Sequence, residues 1–302
     1  MIAIFSSGMD GLWIVIIGAL VASSCATIGC FLVLRRMAML GDAISHAVLP
    51  GIVIAFLITD SRNIVPMMLG AGALGLITAF VTDVLHRHGK LQTDASIGVT
   101  FTVLFAIGVI LVSRYAGQVD LDLDCVLYGE ILYAPFDRLE WAGTDLGPRA
   151  AWVMGGVALT NALFVTLAWK QLKVCSFDPA LAASLGINVA LWHYILMGFV
   201  SATTVAAFES VGVILVVGML IVPANTAYLL TDRLWLMVTL AVVFGALSAV
   251  LGYALATVMN GSIAGAMATV SGVFFVLAAL FGPRHGVISK AILSRRAFAA
   301  ES

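Results

Sequence analysis

The sequence predicts an all-α protein, a polytopic transmembrane helix bundle of about nine spans. Composition is the first reason: 62% of the 302 residues are hydrophobic, 10% are charged and the mean hydropathy is +1.11. A soluble domain needs about a quarter charged residues to cover its surface, so this chain has no room for a sizeable aqueous domain. The second reason is a recurrence of apolar runs near the roughly 20 residues that cross a bilayer. The third is the basic residues, whose distribution alternates from one connection to the next. A net charge of −1 gives nothing to attract nucleic acid.

In chain order the spans read as 11–34, 42–59, 64–85, 95–113, 150–169, 191–208, 211–230, 234–257 and 262–282. The first run lacks the basic lead of a signal peptide and is long enough to span, so it counts as a helix. The run from 191 to 230 is nearly continuous, with its division expected at Glu209-Ser210, and eight or ten spans are the alternatives. With the N-terminus outside and the C-terminus inside, eleven of the fifteen basic residues fall in cytoplasmic segments, leaving Arg62, Arg114, Arg138 and Arg149 outside. The chain reads as one transmembrane domain over 1–302. Cys25, Cys30, Cys125 and Cys175 form no CxxC pair and read as small hydrophobes.

Two connections are longer than turns. Residues 114–149 are acidic and carry Trp141 with three tyrosines, which predicts an outer loop with short interfacial helices. A cation-attracting vestibule is compatible with the same composition. Between Lys170 and Asn188, Asp178-Pro179 reads as N-cap and first helical residue, and Gly186 as the C-terminal stop. A short amphipathic cytoplasmic helix over about 176–187 follows, long enough to dock on a soluble partner; a plain interfacial helix is the alternative.

The polar island Gly41–Gly51 opens the second span. Asp42 and His46 are four residues apart and share one helix face, where a carboxylate and an imidazole can hold one cation. The alternative is a helix start at the membrane edge, with Asp42 as cap and His46 at the interface. Pro50 removes a backbone donor and invites a kink, and Pro223 does the same in a later span, where Asn225 and Thr226 can meet freed carbonyls. Glu209 interrupts an apolar run and is a further candidate for lining a cation path. Asp83 beside His86, Arg87 and His88 reads as a helix end with a basic partner, and His193 between Trp192 and Tyr194 as an interfacial side chain. A carboxylate–imidazole set without thiolates suits manganese, zinc or iron(II) and disfavours Cu⁺. There is no phosphate-binding G-x-x-x-x-G-K-[ST], no H-E-x-x-H and no G-x-S-x-G, so neither ATP hydrolysis nor hydrolase chemistry has an anchor.

Arg35-Arg36-Met37-Ala38-Met39-Leu40 running into Gly41–Gly51 resembles the signature of the metal-ion permeases of bacterial ATP-binding-cassette importers. Further matches follow in the family's order: Leu91–Gly98, Phe177-Asp178-Pro179 through Leu185-Gly186-Ile187, Val211–Val217 through Ala224, and Phe281–Gly286. The stretch Val119–Glu130 looks like the manganese/iron/zinc branch. Two positions depart from the pattern: Asn260-Gly261-Ser262 replaces an aspartate that opens the last span in many members, and Glu209 is an acid many members lack.

The resemblance implies a type II importer-like permease of the bacterial cytoplasmic (inner) membrane, not itself an enzyme, with no permanently bound cofactor. It would carry manganese first, zinc or iron(II) next, by alternating access. The implied partners are a cytoplasmic ATP-binding subunit, an extracytoplasmic metal-binding protein and a second permease, paralogous or identical. Asp42 and His46 fall on the positions proposed to coordinate the ion in transit; Phe177, Asp178, Pro179, Leu185 and Gly186 fall on the coupling helix. The topology sets Asp42 towards the cytoplasmic end of its span, whereas a mid-membrane site is more natural. The other reading is a self-sufficient, gradient-driven cation carrier or channel.

Overall fold

The computed structural model describes residues 8–59, 64–115, 131–141, 144–282 and Gly286. Among them, nine helices are long and apolar enough to cross a membrane. They are α1 (Gly8–Leu34), α2 (Met39–Thr59), α3 (Ile64–Gly89), α4 (Thr93–Tyr115), α5 (Arg149–Leu167), α8 (Val189–Val211), α9 (Val213–Leu230), α10 (Leu234–Met259) and α11 (Ile263–Phe281). Two short helices, α6 (Trp169–Phe177) and α7 (Pro179–Ser184), connect α5 to α8. The expected fold class and the expected spans are both observed. Val119–Glu130, Cys125 and residues 283–285 of the last matched motif lie outside the described residues.

α1 is the axis of the bundle. It packs against α10, α9, α5 and α8, and Ile17, Val21, Cys25, Ile28 and Phe31 on it are fully buried. α2, α3 and α4 pack on one another and join the rest through α8 and through α2 on α9, while α9, α10 and α11 form a second group. Lipid tails are as apolar as leucine, so close packing rather than water exclusion holds such helices together, and small residues permit it. At Gly29 a Cβ would run into the backbone carbonyl oxygen of Leu220, so α1 meets α9 backbone to backbone. One buried polar bridge also ties the bundle: the Asn161 amide of α5 donates to Thr203 Oγ1 of α8 at 2.8 Å and to the Ser24 carbonyl of α1 at 3.3 Å.

Three details differ from expectation. The 191–230 run divides not at Glu209-Ser210 but at Gly212, whose φ of 82° and ψ of 165° belong to a region only glycine occupies easily. Glu209 therefore sits inside the last turn of α8, although its side chain is outside what is described. Where the outer loop is described between the flanking helices, residues 131–137 form a run of turns that leads into an antiparallel ribbon, β1 (Arg138–Trp141) with β2 (Thr144–Pro148), and residues 116–130 lie outside the described residues. Gly147 at φ 89° and Pro148 oppose a helix there. The Asp145 carboxylate secures the ribbon by accepting from the Gly147 N–H at 2.9 Å and pairing with Arg138. Finally, α2 and α9 run unbroken through Pro50 and Pro223. Asn225 and Thr226 donate to the carbonyls of Ile221 and Val222, four residues back, at 3.0 and 2.8 Å.

The two ends of the bundle are distinct. Arg138 of the ribbon pairs with Asp10 at 3.6 Å near the start of α1. Arg35, just past the other end of α1, donates through Nε to Ser176 Oγ of α6 at 3.1 Å. The ribbon and the α6–α7 segment thus lie at opposite ends.

Candidate functional site

α1 closes with Arg36 N–H on the Val33 carbonyl and Met37 N–H on the Leu32 carbonyl, and Arg36 takes a left-handed φ of 58°. Four residues on, the chain re-enters helix at Met39, which puts Asp42 in the first turn of α2. A carboxylate there faces the positive end of the helix dipole. The N-terminal half of α2 lies deep: a Cβ on Gly75, midway along α3, would meet both Ile44 of α2 and Ser201, midway along α8. The polar island therefore sits level with the middle of its neighbours, not at their ends.

His46 Nε2 stands 3.5 Å from Asp42 Oδ1, with each side chain about one-third exposed (32% and 35%). That is long for a hydrogen bond. It suits two neighbouring ligands of one ion, since metal–donor bonds of about 2.1 Å place adjacent donors roughly 3.0–3.5 Å apart. The imidazole is framed by Phe101 and Phe105 of α4, with ring centroids 5.7 and 5.8 Å away. These rings limit the directions from which an ion reaches it. Among the described residues no third His, Cys, Asp or Glu joins the pair. Open coordination of this kind holds an ion weakly enough to release it.

α2 is itself clamped. A Cβ on Gly51 would lie 2.5 Å from the Gly70 carbonyl oxygen of α3, and one on Gly108 of α4 would lie 2.7 Å from Pro50 Cδ. Pro50 is thus a contact surface for α4. Glu209 is not beside the pair: it follows Ser201 by about 12 Å of helix, towards the ribbon end.

The connection carrying α7 is built as its sequence foretells. The Asp178 side chain caps the Leu181 N–H at 2.9 Å, and Pro179 is the first helical residue. At the other end Gly186 takes φ 78°, with its N–H on the Ala183 carbonyl and the Ile187 N–H on the Ala182 carbonyl. Phe177, Leu181 and Leu185 are exposed around it. Ser262 likewise caps α11 by accepting from the Gly265 N–H at 3.2 Å, so the departure at Asn260-Gly261-Ser262 keeps the cap and loses only a charge.

A cluster of polar side chains whose mutual contacts span-by-span reading did not foresee lies at the α7 end. Asp83 pairs with Arg87 at 2.7 Å as expected for a helix end, but it also accepts from the Tyr194 hydroxyl at 3.1 Å. His193 is not interfacial: it is buried, with Nε2 unpartnered. Burial pulls the Arg35 guanidinium below its usual pKa and pushes the Cys175 thiol above its own, and each of these groups partly offsets the other's shift. The signal available beforehand was only the presence of polar residues at helix ends, with nothing to say which ends meet.

Nine apolar helices of spanning length among the described residues define a polytopic membrane protein of the helix-bundle class. Residues 11–282 match the ABC 3 transport family, and the chain belongs to that family. It is 53% identical over 278 residues to the manganese transport system membrane protein MntD of Bacillus subtilis, covering 92% of this chain and 94% of that one. It is 43% identical over 282 residues to the zinc transport system membrane protein TroD of Treponema pallidum, covering 93% and 77%. Among solved structures, PsaBC from Streptococcus pneumoniae in complex with Fab has a chain that superposes with a TM-score of 0.76 at 31% identity, covering 94% of this chain and 98% of that one. The chain is thus a multi-pass inner-membrane permease subunit of an ABC transport system.

Proposed function

We propose that this permease imports divalent transition-metal ions, manganese first and zinc or iron(II) next, by alternating access driven by ATP that a separate cytoplasmic subunit hydrolyses. The observation that carries the proposal is the Asp42–His46 pair, 3.5 Å apart at mid-depth. It supplies one hard and one borderline donor and no thiolate. The manganese named for the relative at 53% identity supports the order of metals. Asp42 and His46 hold the ion in transit, Glu209 lines its path from the ribbon side, and Pro50 and Pro223 shape α2 and α9. The basic-residue distribution supports an outer N-terminus and ribbon and an inner C-terminus and α7. On this reading residues 1–302 act as one domain. Phe177, Asp178, Pro179, Leu185 and Gly186 form the coupling helix against the ATPase, and the apolar side chains exposed around α7 support that docking. A second permease completes the pore and an extracytoplasmic metal-binding protein delivers the ion.

The test is uptake of radiolabelled manganese and zinc into proteoliposomes holding this chain with its ATP-binding subunit and, as required, the second permease and metal-binding protein. ATP-dependent manganese uptake that Asp42→Asn and His46→Ala each cut about tenfold or more, with the complex still assembled, is the expected result. Uptake without ATP would transfer the case to a gradient-driven carrier. Near-normal uptake in the double variant would remove the pair from the path.

A further inference from the structure

The segments on either side of α7 are tied to the bundle by polar side chains. On its N-terminal side, Ser176 lies two residues before the Asp178 cap and accepts from Arg35 Nε at 3.1 Å. Arg35 belongs to the four-residue turn between α1 and α2, seven residues ahead of Asp42. On its C-terminal side, Tyr194 lies near the start of α8 and donates to Asp83 of α3 at 3.1 Å, where Arg87 holds the carboxylate at 2.7 Å. Between the two arms sits His193, buried, with Arg35, Asp83 and Arg87 as its electrostatic neighbours. Both arms lead to the same helix. The Arg35 turn runs directly into α2, and α3 grips α2 where Gly70 meets Gly51 with no room for a side chain.

We propose that Arg35–Ser176 and Tyr194–Asp83 are the two arms of a joint through which displacement of α7 moves α2, and with it the Asp42–His46 pair. This rests on α7 being the segment that the ATP-binding subunit engages. The four residues are positioning residues that touch no ion. Packing alone would let α7 shift by rotating side chains, because Phe177, Leu181 and Leu185 are exposed and α7 buries only Ala182. Directional hydrogen bonds to charged groups fix distance as well as contact, so a movement of the short helix is passed on instead of absorbed. Loss of an arm should leave ATP hydrolysis running while less metal moves.

Ser176→Ala and Tyr194→Phe each remove one hydroxyl and little volume. The complex with its ATP-binding subunit is reconstituted in proteoliposomes, and manganese uptake and ATP hydrolysis are measured on the same sample. Each single variant should lower the manganese moved per ATP by between about twofold and tenfold, the factor one such bond is worth, and the double variant by more than either. Ser176→Thr, which keeps the hydroxyl, should restore the ratio. A misfolded fraction loses both activities together and leaves the ratio unchanged, so a proportional fall overturns the joint, as does a normal ratio in the double variant. Phe177→Ala with Asp178→Ala serves as the companion. If that variant keeps its ATP-binding subunit and couples normally, docking through α7 is wrong and the joint falls with it. If it loses the subunit while Ser176→Ala/Tyr194→Phe couples normally, the joint alone is wrong.

Discussion

The grip of α3 on α2 gives a sharp quantitative expectation. In Gly51→Ala the new Cβ would lie 2.5 Å from the Gly70 carbonyl oxygen, 2.9 Å from its carbon and 3.0 Å from Leu74 Cβ, where ordinary contacts run from 3.4 to 4 Å. The closest obstacle is backbone, so no side-chain rotation relieves it and the helices must part by about 1 Å. Overpacking of this kind costs about 1–3 kcal/mol, and a rigid obstacle favours the upper half of that range. Replacing glycine by alanine within a helix returns about 0.5–1 kcal/mol. The net expectation is a destabilisation of about 1–2.5 kcal/mol. Gly72 of α3 is the control: a Cβ there meets nothing within 4 Å, so Gly72→Ala should stabilise by about 0.5–1 kcal/mol. The thermal midpoint of the purified protein in detergent reads both signs. Because α2 carries Asp42 and His46, Gly51→Ala should also lose metal uptake beyond its loss of folded protein. A midpoint at or above wild type in Gly51→Ala, or equal shifts in both variants, would refute the clamp.

Two further expectations concern the ends of the bundle. Asp178→Ala removes the cap on α7 and should cost that helix about 1 kcal/mol, with weaker retention of the ATP-binding subunit on co-purification, while Asp178→Asn should retain it. Asp145 is held below the usual carboxylate range by the Gly147 N–H first and the Arg138 guanidinium second. A carboxyl with a depressed folded pKa stabilises at neutral pH, and the effect fades as pH falls through that lowered value. Proteolysis of the ribbon should therefore accelerate on acidification, and the Asp145→Asn protein should lack that acid-induced change; a pH-independent wild-type ribbon would count against the contact.

Much of this architecture was legible in the chain because it rests on local physics. A span announces itself by length and hydropathy, and the break at Gly212 fell three residues from the expected division because a glycine conformation ended the helix where an acid was the expected marker. Asp178, Pro179 and Gly186 identified α7 because caps are local hydrogen bonds. The ribbon over 138–148 was not foreseen because its stability comes from a strand pair and the Asp145–Arg138 contact, which amphipathic composition does not encode. His193 was misplaced for a related reason: neighbouring Trp192 and Tyr194 suggested an interface, but it is buried beside Arg35, Asp83 and Arg87, which lie far from it in sequence.

The sequence by itself indicated about nine spans, the helix caps and the pairing of Asp42 with His46, since residues four apart on one helix must share a face. Only the tertiary structure decided the depth of that pair, its framing by Phe101 and Phe105, its distance from Glu209, and the contact of Arg35 with Ser176. Helix periodicity specifies which side chains share a face, but the partner of that face is set by packing between segments far apart in sequence, 141 residues for Arg35 and Ser176, and in a bundle of uniformly apolar helices little in the local pattern distinguishes one neighbour from another.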